Sequence, residues 1–176
     1  CCQEEEKDNA EFKCCMVVNH DEQVKVYSDI AKKLGITEKY GEVVSKASTF
    51  LNRHKDLDSV DVVFIDEAHL LFTQGNQGYS GKNQLDDIIK RAKVVVIVFD
   101  ENQILRMDQY WEKQMIDRYR NKAIEQQNYI TLTKQLRMQA DNETLAWIDA
   151  FTKKQIINKI PHHDYEIKIF DSPKVL

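Results

Sequence analysis

Apolar residues recur in two rhythms along this chain. Residues 62–65, Val-Val-Phe-Ile, form a short unbroken apolar run, the pattern of a strand buried on both faces of a parallel sheet. Residues 12–18 (FKCCMVV) read as a second buried strand, and 93–99 (KVVVIVF) as the strongest strand in the chain. Weaker strand patterns cover 40–50, ending in Ser48-Thr49, then 129–133, and 165–170, where YEIKIF alternates. Between these runs the period lengthens. Val24, Tyr27, Ile30, Ala31 and Leu34 follow helical spacing, with Lys32-Lys33 in the last turn and Gly35 as a stop. Asn19 stands three residues before Glu22, the spacing of a capping box. Leu85, Ile88, Ile89 and Ala92 form a second helical stripe, which Asn83 can cap. Further helices are predicted over 108–127, with Tyr110, Trp111, Met115, Ile116, Tyr119 and Ala123 on one broad face, and over 141–156.

Strands alternating with helices predict an α/β fold with a mainly parallel sheet in three layers. Such sheets place ligands just beyond the carboxyl ends of their strands. The central run ends in Asp66-Glu67, the 93–99 run in Asp100-Glu101-Asn102-Gln103, and the 129–133 run in Lys134-Gln135-Leu136-Arg137. One site along one rim would account for all three. Two adjacent carboxylates can hold a hydrated Mg²⁺ and polarise a water, as phosphoanhydride hydrolysis requires. The plain alternative is an acidic first turn complementing a helix dipole.

Composition narrows the choice modestly. The chain has 176 residues and a formal net charge of −4, enough for one domain with a real core and without a general basic field for nucleic acid. No apolar run approaches a membrane span and no secretory signal opens the chain. The four cysteines form two vicinal pairs, Cys1-Cys2 and Cys14-Cys15, without metal-binding spacing, so a reducing, cytoplasmic setting is expected. His162-His163 lacks a second ligand pair and reads as loop. Residues 73–83, with three glycines, read as a surface loop.

In order, these pieces resemble the superfamily 1 helicase-like P-loop ATPases, and among them the Schlafen-related DNA/RNA helicase-like domain, over roughly residues 12–171. Asp66-Glu67-Ala68-His69 looks like the Walker B motif, 99–103 like motif III, and 135–137 like motif IV. Asn19-His20 stand where motif Ia would be. The resemblance implies a RecA-like fold and ATP and Mg²⁺ as cofactors. It implies that Asp66 holds the metal, through water, that Glu67 orients and deprotonates the attacking water, that Gln103 touches the γ-phosphate or that water, and that Arg137 neutralises developing charge. Asp66, Asp100 and Gln135 would contact the nucleotide, while Asn19, His20, Ser48 and Thr49 would face DNA or RNA.

One element of the pattern is missing. A P-loop ATPase cradles phosphates with G-x-x-x-x-G-K-[ST], and no such string occurs here; Gly81-Lys82 is followed by Asn83. Residue 1 is Cys. The expectation is therefore a single partial domain lacking its P-loop strand and helix. Residues 1–11 would be a remnant of that helix, and 159–176 the start of a connection to a second RecA-like domain. Such a chain should bind ATP weakly or not at all by itself. A degenerate fold serving as a non-catalytic nucleic-acid or protein-binding module is the alternative, and a P-loop ATPase that remodels proteins is a third.

Overall fold

The computed structural model describes residues 12–57, 59–75, 79–103, 111–132 and 140–153. The chain forms two compact units, residues 1–123 and 124–176. In the first, four strands make one parallel sheet in the order β2-β1-β3-β4. They are β1 (Cys14–Val17), β2 (Val44–Ser45), β3 (Val60–Ile65) and β4 (Ala92–Ile97). Cys14 to Val17 pair with Val62 to Ile65, and Val62 to Ile65 pair in turn with Val94 to Ile97. The carboxyl ends of β1, β3 and β4 therefore lie level.

Side chains alternate across the sheet, and this divides the core. Cys15, Val17, Val63, Ile65 and Val95 join one cluster with α3 (Ala47–Arg53), α4 (Gln84–Ile89) and α5 (Lys113–Glu125), through Phe50, Leu85, Ile88 and Met115. Met16, Val18 and Val44 join another with α1 (Asp21–Lys33) and α2 (Ile36–Tyr40), through Val24, Tyr27, Ala31 and Ile36. Helices on both faces of a parallel sheet give the α/β architecture that the alternating pattern implied, in the three-layer, RecA-like form that the resemblance implied. At the amino-terminal rim Asp61 accepts the backbone N–H of Lys13 at 2.8 Å and the Lys93 ammonium at 2.7 Å. Those two contacts, the Lys13 N–H foremost, hold its carboxyl below the ordinary range. In the second unit α6 (Asn142–Thr152) opens on Asp141, whose carboxylate accepts the N–H groups of Glu143 and Thr144.

Four expectations need correction. The stretch 40–50 is not one strand: only Val44–Ser45 pairs with β1, and α3 begins at Ala47. Ala47, Phe50 and Leu51 share one helical face and are buried there, which fixes the switch of period. Ser48 and Thr49 thus lie in the first turn of α3, half-buried, not at a strand end. The capping box at Asn19 does not form. His20 occupies the N-cap without a side-chain bond, and Glu22 pairs with Lys25 instead. Ile30 and Leu34, expected on the inward stripe of α1, are exposed. Residues 129–132 form no strand, and Ile130 and Leu132 are 82% and 84% exposed; strand propensity without a neighbouring ladder does not make a strand. The predicted strand 165–170 and the Cys1-Cys2 pair lie outside the described residues.

Candidate functional site

The site is built where β3 and β4 end. Asp66 continues the sheet by one bond, its N–H donating to the Val17 carbonyl at 3.1 Å. Glu67 then turns into the left-handed region, φ 53° and ψ 47°. For a residue with a Cβ this conformation costs on the order of 1–3 kcal/mol, and it persists only where surrounding bonds fix it. Those bonds are present. The Glu67 N–H donates to Asp66 Oδ1 at 3.0 Å. Its carbonyl accepts the Leu70 N–H at 2.9 Å, and the Ala68 N–H reaches the Val98 carbonyl at 2.9 Å. A 3₁₀ turn, Ala68–Leu70, follows.

His69 lies at the centre of this turn and is 2% exposed. Its Nδ1 accepts the backbone N–H of Asp100 at 3.3 Å. Its Nε2 stands 3.1 Å from Glu67 Oε2. A ring that accepts on Nδ1 carries its proton on Nε2, so Nε2 donates to the Glu67 carboxylate. Asp100 in turn accepts the Gln103 amide on Oδ2 at 2.7 Å. A continuous chain of bonds thus runs from Gln103 through Asp100 and His69 to Glu67, joining the ends of β4 and β3. An aromatic wall backs it. Trp111 donates from Nε1 to the His69 carbonyl at 3.2 Å, and Phe99 sits edge-on to both His69 and Trp111. Glu101, in the 3₁₀ turn Glu101–Gln103, pairs with Arg120 on α5.

Two bonds arrive from α1 and the turn before it. Tyr27 donates its hydroxyl to Asp66 Oδ2 at 2.8 Å. Asn19 donates its side-chain amide to the Leu70 carbonyl at 2.7 Å. Asn19 is half-buried, with His20 exposed beside it. Of the residues singled out from sequence, Asp66, Glu67, Asp100 and Gln103 meet at one rim, with Asn19 bonded to the same segment. Ser48 and Thr49 lie on α3. Gln135 and Arg137 fall outside the described residues. The sequence reading did not assign roles to Tyr27 or Trp111. The signal for Tyr27 was its hydroxyl on the inward stripe of α1, since a buried phenol seeks a partner.

Asp66 and Glu67 are half-buried and Gln103 is exposed, so the rim opens to solvent. Among the described residues no group of three or more His, Cys, Asp and Glu side chains is disposed to hold a metal unaided. Mg²⁺ does not need such a cage, because it keeps several waters and takes one or two carboxylates plus phosphate oxygens. An ionised carboxylate offers about four acceptor positions. The bonds from Tyr27 and the Glu67 N–H leave Asp66 the capacity for a water-mediated contact of that kind.

A level parallel sheet whose central strand ends in an acid pair, wired to the end of its neighbour, is that of a RecA-like α/β domain. The chain belongs to the Schlafen group 3 DNA/RNA helicase domain family, whose model matches residues 2–176. It is also similar to the uncharacterized protein YPL245W of Saccharomyces cerevisiae, with 33% identity over 154 residues, covering 83% of this chain and 33% of that protein. The chain thus spans about a third of the length of this curated relative. No solved structure matches it. No helix among the described residues is long and apolar enough to cross a membrane.

Proposed function

We propose that this domain is the ATP-hydrolysing part of a helicase-like motor acting on DNA or RNA. The observation that carries the reading is the bonded chain from Gln103 to Glu67, which makes one unit of two strand ends. In this reading Glu67 is the general base for the attacking water. His69 holds its Oε2 from a buried position, which narrows the carboxylate's swing and leaves the second oxygen for the water. Proton acceptance by a positioned side chain contributes about 10²–10⁴ in rate. Asp66 holds Mg²⁺ through water, and that ion, when bound, neutralises phosphate charge. Asp100 and Gln135 contact the nucleotide. Gln103 contacts the γ-phosphate or the attacking water, and through Asp100 and His69 its position is communicated to Glu67. Arg137 supplies a fixed positive fork for the charge that develops on the transferred phosphoryl. Asn19, His20, Ser48 and Thr49 contact the polymer backbone.

The family description supports nucleic acid as the partner, and the acid pair supports hydrolysis. The test is steady-state turnover of ATP by the full-length protein with Mg²⁺, with and without single-stranded DNA and RNA. Turnover that requires Mg²⁺ and rises with one of the polymers is expected. Mg²⁺-dependent turnover indifferent to both polymers would overturn the nucleic-acid role. A second reading is a non-catalytic nucleic-acid-binding module, which the family description fits equally well. Polymer binding with no turnover under any condition would select it.

A further inference from the structure

We infer that Tyr27 is a positioning residue for the metal-holding carboxylate, acting through Asp66; the inference rests on the function proposed above. Tyr27 lies midway along α1, with its ring in the small cluster that includes Met16, Val18, Val24 and Ala31. Its hydroxyl reaches out of that cluster to Asp66 Oδ2, 2.8 Å away and 39 residues along the chain. The other carboxylate oxygen accepts the Glu67 N–H at 3.0 Å. One oxygen is thus set by the local backbone and the other by a helix on the far side of β1. A carboxylate held at only one oxygen swings about its Cβ–Cγ bond; held at both, it presents its remaining lone pairs in one direction.

The same helix unit is fastened at the far end of the segment, where Asn19 bonds the Leu70 carbonyl. Residues 66–70 are therefore held at both ends by the β1–α1 turn and the helix it opens. Packing does not require the hydroxyl, because a phenylalanine would fill the same apolar cluster. The hydroxyl instead completes the environment of Asp66. Partners of a residue that ligates a metal directly commonly change metal affinity or activity by about 10–100-fold when lost; Tyr27 acts through a carboxylate that holds the ion by way of water, so the lower end of that range applies.

The test compares the full-length protein with its Tyr27→Phe, Tyr27→Leu and Asp66→Asn variants. Binding of Mn²⁺, in place of Mg²⁺, is measured by electron paramagnetic resonance in the presence of ADP, alongside thermal melting. Tyr27→Phe is expected to weaken Mn²⁺ binding about 10-fold with little change in melting. Tyr27→Leu, which also removes the ring, is expected to melt lower yet weaken Mn²⁺ binding to the same degree as Tyr27→Phe. Asp66→Asn is expected to weaken it more than either. Unchanged Mn²⁺ affinity in Tyr27→Phe, with a loss in Asp66→Asn, would overturn the role of Tyr27 and leave the proposed function standing. A metal affinity that falls only in step with melting across Phe and Leu would assign Tyr27 to packing and overturn it too. If Asp66→Asn binds Mn²⁺ as wild type does, the metal role of Asp66 fails, and the inference with it.

Discussion

His69 is the residue on which the site turns. It is buried, yet both ring nitrogens are bonded, one to the backbone of Asp100 and one to the carboxylate of Glu67. A histidine after an acid pair is weak evidence in a sequence, because a satisfied structural histidine reads the same way. What separates the two is where the nitrogens point, and the partner on Nδ1 lies 31 residues further on. Tyr27 and Asn19 were equally hidden, since their acceptors lie 39 and 51 residues away. Asp66, Glu67, Asp100 and Gln103 could be read because each closes an apolar run, and that is a local feature. Removing the imidazole in His69→Ala leaves the Asp100 N–H and the Glu67 carboxylate without this partner. The expected loss is about 1–3 kcal/mol in urea denaturation of this chain. A variant as stable as wild type would show that the link between the strand ends is not a structural bond.

At the scale of elements, periodicity alone located β1, β3 and β4 and the helices α1, α4, α5 and α6. Not every inward position held: Ile30, Leu34 and Phe151 are exposed, and Ala92, the last member of the second stripe, opens β4 instead. The reading failed where the rhythm changes within a few residues. In 43–51 a two-residue strand passes into a helix at Lys46, and the i, i+3, i+4 spacing of Ala47, Phe50 and Leu51 was the overlooked sign. It failed again at 129–132, where β-prone residues have no ladder to join. Cap chemistry divided the same way. Asn83 caps α4 as expected, accepting the Asp86 N–H at 3.1 Å, and it also donates to Met115 Sδ on α5. Asn19 looked like a cap, but its amide is used on Leu70. Asn83→Ala is expected to cost about 1 kcal/mol in urea denaturation. Asn83→Asp, which keeps the acceptor and loses the contact with Met115, should cost less. Equal losses would assign the contribution to the methionine contact, not to the cap.

For the molecule as a whole, a parallel sheet makes strand ends level, and level strand ends let distant stretches of sequence share one chemistry. That is why an α/β reading and a phosphate-site reading arose together from the same apolar runs; family membership agrees with the first. The central claim is that Glu67, fixed by His69 at the end of β3, takes the proton from water during ATP hydrolysis. Single-turnover hydrolysis by full-length Glu67→Gln, with ATP binding followed in parallel, addresses it most directly. The rate is expected to fall by about 10²-fold or more while nucleotide binding stays near that of wild type. Hydrolysis close to the wild-type rate, with binding intact, would contradict the assignment.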